Sequence, residues 1–215
     1  MKQAFIKNIL QRTLTCISAL VLIIPLVLYA PSCIISLMLA TLCLWILVVE
    51  WPVIAAFNPL VLWPFTSVYI IFPFFCMHSL YQEPHLKKIL FYVIALVFAH
   101  DTCAYFVGNL LGKNLLAPTI SPKKTWEGFI GGCSAVFIVL ILFPLVPISF
   151  TFITIGTIAI SILATLGDLF ESQLKRNVGI KDSGSLLPGH GGLLDRFDAL
   201  LFVIPVIWII AHFLY

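Results

Sequence analysis

The chain has 215 residues, of which 61% are hydrophobic and only 10% are charged; its mean hydropathy is +1.12 and its formal net charge +3. A soluble domain carries about 25% charged residues, so a soluble globular enzyme is excluded and a helical integral membrane protein is expected.

In chain order, Lys2, Lys7 and Arg12 precede the first apolar run. This pattern resembles a signal peptide, but Tyr29-Ala30-Pro31-Ser32-Cys33 is a poor small-residue cleavage site and more hydrophobic segments follow at once. An uncleaved transmembrane helix is expected there. A bilayer core needs about 20 apolar helical residues. Seven segments fit, approximately 13–30, 33–50, 58–77, 88–108, 128–147, 150–168 and 197–215. The third contains Pro59, Pro64 and Pro73 and is expected to be kinked or partly interfacial. The expected fold is therefore an all-α polytopic bundle of about seven transmembrane helices. The six cysteines are scattered through apolar segments with no CxxC pair, so neither a disulfide framework nor a zinc site is expected.

With the N-terminus in the cytoplasm and all seven segments crossing, ten basic residues fall on the cytoplasmic side. They are Lys2, Lys7, Arg12, Lys113, Lys123, Lys124, Lys175, Arg176, Lys181 and Arg196; only Lys87 and Lys88 fall outside. The positive-inside rule supports this orientation. It puts the polar loops 109–127 and 169–196 on the cytoplasmic face, where nucleotides are available. No internal repeat or flexible linker is visible, so 1–215 reads as one membrane domain.

Ionised groups next to hydrocarbon are costly, about 2.5–3.5 kcal/mol each at a helix centre. Three places carry them. Asp101 lies inside the fourth apolar segment, beside His100. An intramembrane acid contacts a cation, a substrate or a basic partner; the lone His is read as hydrogen-bonded packing. Next, Ser121-Pro122-Lys123-Lys124-Thr125-Trp126-Glu127-Gly128 reads as a helix start, with Pro at a first helical position. Its backbone N–H groups and lysines suit an anion; positive-inside anchoring with an interfacial Trp is the equal alternative.

The third place, Asp168 to Asp198, gathers nine charged residues with several glycines. If a helix continues past Asp168, then Asp168, Ser172 and Lys175 share one face, and Glu171 and Lys175 form an i,i+4 pair. A glycine-rich loop follows that can approach a ligand closely and cradle phosphate oxygens. Asp195 and Asp198 then open the last helix on one face, where the helix dipole also favours them. Asp168 ends one membrane helix and Asp195 begins the next; brought together by a tight polar loop, these two carboxylates with open water positions suit Mg²⁺. No P-loop and no G-x-S-x-G elbow is present.

These residues carry a resemblance. Ser172-Gln-Leu-Lys175-Arg176, then Lys181-Asp182-Ser-Gly, then Leu187-Pro188-Gly-His190-Gly191-Gly192-Leu-Leu-Asp195-Arg196-Phe-Asp198 resembles the signature of the phosphatidate cytidylyltransferases, or CDP-diacylglycerol synthases. The blocks Asp101 to Gly108 and Ser121 to Gly128 are similar to the same family, and Arg12-Thr13 and Glu50-Trp51 fit loosely. The resemblance covers residues 90–215, the catalytic part, and more faintly the variable N-terminal helices of 1–89. Members usually carry more membrane helices; this chain is about two short between Trp51 and Leu90.

The resemblance implies transfer of CMP from CTP to phosphatidate, with release of pyrophosphate, in a bacterial inner membrane. It implies that Asp168 and Asp195 bind Mg²⁺, with a potassium ion also usable at this centre. Lys175, Arg176, Lys181 and Arg196 would hold phosphates, with Lys175 and Arg196 joining Asp168 and Asp195 as catalytic. Gly191 and Gly192, with His190, would approach the triphosphate. Asp182 and Asp198 would orient the bases or assist the metal. Asp101, Ser121, Lys124 and Ser172 would support the nucleotide or the lipid headgroup. The expected partners are CTP, phosphatidate, membrane lipid and a second copy in a homodimer, with no nucleic acid. A CTP-using polyprenol kinase would release CDP instead of pyrophosphate. A transporter fits poorly, because no repeat is present and the polar residues cluster at one face.

Overall fold

The computed structural model describes residues 31–145, 149–184, 186 and 191–214; the expected span 13–30 lies outside the described residues. In chain order the described elements are helices α1 (Ser32–Ala55), α2 (Pro59–Gln82) and α3 (Pro84–Leu111), strands β1 (Leu115–Ala117) and β2 (Ser121–Thr125), then α4 (Trp126–Leu142), α5 (Phe150–Asn177) and α6 (Leu194–Leu214). The chain is thus a polytopic helical membrane protein. Among the described residues, α1, α2, α3 and α5 are long and apolar enough to cross a membrane, and α4 is a shorter apolar helix. Large apolar side chains stand outward, with Leu60 at 89% exposure, as hydrocarbon surroundings require.

The proline-rich third segment is a continuous helix, α2, and its irregularity takes the form of a π-turn. Two such turns occur, Ile46–Glu50 within α1 and Ser67–Ile71 within α2. Each ends two residues before a proline, Pro52 and Pro73 respectively. A proline inside a helix has no N–H to donate, and its ring crowds the carbonyl four residues back. Widening the preceding turn relieves that crowding and keeps the helix running.

The polar block at 121–128 corrects the expected helix start. Ser121–Thr125 is a strand, paired antiparallel with β1 through Leu115↔Thr125 and Ala117↔Ser121. This hairpin is the one departure from helix among the described elements. Pro122 lacks a ladder donor but is tolerated in a two-stranded ribbon whose edges are open. Thr125 is the actual N-cap of α4, in extended backbone, and its Oγ1 accepts the Gly128 N–H at 3.1 Å.

Between helices in lipid there is little hydrophobic drive, so close backbone contact at small residues holds them together. A Cβ on Gly128 would stand 2.7 Å from the Ala104 carbonyl oxygen of α3, and one on Gly132 would stand 2.6 Å from the His100 ring. The glycine stripe of α4 therefore seats directly on the α3 turns that carry Asp101. On the other side, a Cβ on Gly167 would stand 2.5 Å from the Asp198 carbonyl oxygen and 3.0 Å from Ala199 Cα. That contact fixes where α5 crosses α6.

The buried apolar residues form two clusters. One unites α2, α3, α4, α5 and α6 through residues such as Leu96, Val136, Ala164 and Val203. The other joins the end of α1 and the start of α2 to the polar ends of α5 and α6, through Trp51, Tyr69, Leu174 and Leu194. In it Tyr69 stacks within 5.2–6.2 Å of Trp51, Phe65, Phe170 and Phe202. The Trp51 indole donates to Thr66 Oγ1 at 2.6 Å. The N-terminal helices are thus packed against the floor of the polar region.

Candidate active site

The Gly167 crossing decides which acids meet. Asp168 follows Gly167 on α5, and Asp198 is the α6 residue whose carbonyl lies against that glycine. Asp168, Asp101 and Lys124 all act electrostatically on Asp198. Lys124 reaches from the hairpin to Asp168 Oδ2 at 2.7 Å, and the Ser172 hydroxyl donates to Asp168 Oδ1 at 3.2 Å. Asp198 Oδ1 accepts the Ala199 N–H at 2.7 Å. Asp101 is half exposed, and its Oδ1 lies 3.1 Å from Nδ1 of the buried His100. Asp168 of α5 is thus the carboxylate that meets the Lys124 ammonium, with Asp198 of α6 across the Gly167 crossing and Asp101 of α3 beside His100.

Asp195 belongs to a neighbouring network. Lys175 bonds Asp195 Oδ1 at 2.6 Å and touches Glu171 Oε2 at 2.5 Å. The Glu171 contact is an ion pair without hydrogen-bond alignment, since both Glu171 oxygens have no aligned donor. Lys175 and Glu171 are both buried, Glu171 completely. Asp195 also accepts the backbone N–H groups of Ser183 (3.1 Å) and Gly192 (2.7 Å). It thus ties together the two ends of the polar loop. Gly191 has φ +83°, and a Cβ there would stand 2.5 Å from Asp195 Oδ2, so the close approach needs glycine on both counts.

α5 ends in a Schellman turn: the Ile180 N–H bonds the Lys175 carbonyl and the Gly179 N–H bonds the Arg176 carbonyl, both at 3.0 Å, with Gly179 at φ +74°. The guanidinium of Arg176 donates two of its N–H groups to backbone carbonyls, those of Ile180 (2.9 Å) and Ile120 (3.4 Å). It links the end of α5 to the hairpin. Lys181, Asp182 and Arg196 are exposed at the mouth of the loop, and Ser121 is half-buried in β2. His190 lies outside the described residues.

Glu127 fastens the hairpin to α4. Its carboxylate accepts the backbone N–H groups of Lys113 and Asn114 at 3.2 Å and the Asn114 amide at 2.7 Å. Its own backbone N–H foremost, followed by these donors, holds its carboxyl below the usual range.

Two further residues border the site: Glu50, which the sequence marks only as a loose fit to the family with no role, and Tyr69, which it does not mark. Glu50, at the end of the α1 π-turn, is 1% exposed and accepts three hydrogen bonds from the polar loop. An isolated carboxylate in an apolar run was the available signal, the same one that marked Asp101. Tyr69 of α2 buries a hydroxyl with no hydrogen-bond partner, within electrostatic reach of Asp168, Glu171, Asp195 and Asp198. Nothing in its apolar sequence surroundings distinguishes it.

A model of the Cytidylyltransferase family matches residues 2–214. The chain is 44% identical over 140 residues to a protein of Bacillus subtilis (strain 168) named phosphatidate cytidylyltransferase, covering 62% of this chain and 52% of that protein. Proteins of the same name from Staphylococcus haemolyticus (strain JCSC1435) and Staphylococcus aureus (strain COL) are 50% identical over 119 residues and 47% over 123 residues. Each of these covers 54% of this chain and 46% of the relative. The chain spans about half the length of the curated relatives it matches.

Proposed function

The chain belongs to the Cytidylyltransferase family, and on that premise we propose that it transfers CMP from CTP to phosphatidate, giving CDP-diacylglycerol and pyrophosphate at the cytoplasmic face of a bacterial inner membrane. The observation that carries this reading is a partly exposed Asp168 held by Lys124 at 2.7 Å, beside a loop whose backbone N–H groups close on Asp195.

Among the described residues no three His, Cys, Asp or Glu side chains are grouped to hold one ion. Mg²⁺ would need only one or two carboxylates here, its shell being completed with water and substrate phosphate oxygens. Asp168 would be the principal holder, with Asp195 or Asp198 as the second carboxylate. The metal supplies charge neutralisation where the two anionic substrates meet.

The chemistry asked of the chain is positioning. An oxygen of the phosphatidate phosphate attacks the α-phosphorus of CTP in line, a new P–O bond forms, and pyrophosphate leaves with the electrons of the broken bond. Lys181 and Arg196, exposed at the loop, would hold the leaving phosphates, Arg196 bidentately. Lys175 is buried between Glu171 and Asp195, so its part is to fix the Asp195 carboxylate. Arg176 links the end of α5 to the hairpin through two carbonyls and would hold a phosphate with its other N–H groups. Lys124 would neutralise Asp168 until substrate arrives and then turn to a phosphate.

Pyrophosphate release by the purified protein in detergent, with Mg²⁺, CTP and phosphatidate omitted in turn, tests the reading. Release that needs all three is expected; release without the lipid, or CDP as the only product, would contradict it.

A further inference from the structure

We propose that Glu50 is a positioning residue that holds the two ends of the polar loop together and aligns the start of α6. Its carboxylate spans the loop's two ends. Oε2 accepts the Ser183 hydroxyl at 2.9 Å and the Leu194 N–H at 2.7 Å, and Oε1 accepts the Leu193 N–H at 2.7 Å. Leu194 is the first residue of α6, so these N–H groups are among those a helix start leaves unpaired. An anion there is also favoured by the helix dipole. The buried carboxylate thus acts as an N-terminal cap supplied from a helix more than 140 residues away in sequence.

The surroundings are built to admit it. A Cβ on Gly184 would stand 3.0 Å from Glu50 Oε1, and one on Gly192 would stand 2.8 Å from Oε2 and collide with Ser183 Oγ. The two glycines therefore leave the space the carboxylate fills. On the α1 side, the π-turn before Pro52 places Glu50 inward, and Trp51 anchors it through Thr66 of α2. Asp195 bonds Ser183 and Gly192 from the opposite side. The loop ends are clasped by one carboxylate from α1 and one from α6. This gives the N-terminal helices a part in the site.

The activity arm of the test rests on the proposed CTP and phosphatidate reaction; the exchange arm does not. Glu50→Gln keeps the size, but its amide NH₂ opposes one of the backbone N–H donors. Glu50→Asp keeps the charge and loses the reach. Hydrogen exchange of the 183–195 segment in detergent is compared with exchange in α3 and α4, and KM for CTP with kcat. In both variants exchange of 183–195 should rise about tenfold or more, with α3 and α4 unchanged. KM for CTP should rise about tenfold while kcat changes less than about threefold.

Wild-type exchange in both variants would overturn the proposal. So would exchange raised equally in α3 and α4, because Glu50 would then serve general stability. A raised KM with unchanged exchange would also overturn it. If the wild-type protein turns over neither substrate, the reaction reading fails, and the exchange result still decides the role of Glu50.

Discussion

Asp168 follows directly on Gly167, and Asp195 stands one helical turn before Asp198, on the two sides of the same helix crossing, yet the chain treats them differently. Asp168 is partly exposed and held by Lys124 and Ser172, whereas Asp195 is locked by Lys175 and two backbone donors. Asp168→Ala should therefore lower turnover on the order of 100-fold, the scale of losing one preorganised electrostatic group, while membrane insertion and melting temperature stay near wild type. Comparable loss of insertion would make Asp168 structural. Lys175→Met is expected to act on stability. It leaves Glu171 and Asp195 as adjacent buried carboxylates, and removing one partner of a buried ion pair costs about 3–5 kcal/mol. Thermal unfolding in detergent measures this, and an unchanged midpoint would refute the pairing. Lys124→Ala removes a partly exposed pair, worth less than about 1 kcal/mol. It should leave the melting temperature unchanged and lower the rate about tenfold.

At the scale of elements, the site depends on a few close helix contacts. Gly167→Val should push α6 away from α5, because a side chain there meets Asp198 and Ala199 backbone. Overpacking of this kind costs about 1–3 kcal/mol, and the separation of Asp168 from Asp198 should reduce activity more than stability. A variant that keeps full activity would show that the crossing does not position the acids. The polar blocks at Asp101, 121–128 and 168–198 were legible because charge is costly in an apolar chain and is kept only where it is used or paired. The expected sixth segment ends at 168, and its continuation is only a condition for the shared face of Asp168, Ser172 and Lys175; α5 runs on to Asn177 because the polar turn is paired within the loop. The hairpin was not legible. Pro122 and the hydroxyls of Ser121 and Thr125 suit a helix start, and a five-residue strand offers too few residues to show its alternation. The true cap, Thr125, lay in the same block. The pairing of Asp168 with Lys124 instead of a nearer base depends on how the hairpin folds back, which no local pattern encodes.

For the whole molecule, the length of the apolar runs was enough to recover helices over six of the seven expected segments, the first, 13–30, lying outside the described residues. Sequence reading assigned chemistry to 90–215 and left the first helices as variable. Glu50 and Tyr69 show why that division is incomplete: the partners of both are long-range, and an isolated acid or tyrosine in an apolar run carries no record of what it will meet. The expected orientation places Lys113 and Lys181 on the same, cytoplasmic side. Single cysteines at these two positions, in a background lacking the native ones, should both be protected from a membrane-impermeant thiol reagent in intact cells; labelling of either would reverse the topology.

The transfer itself is followed most directly with CTP labelled at either the α- or the γ-phosphorus, incubated with Mg²⁺ and phosphatidate. CMP transfer predicts α-label in the lipid product and γ-label in pyrophosphate. Label from the γ-position in the lipid, with CDP released, would contradict it and make the protein a kinase.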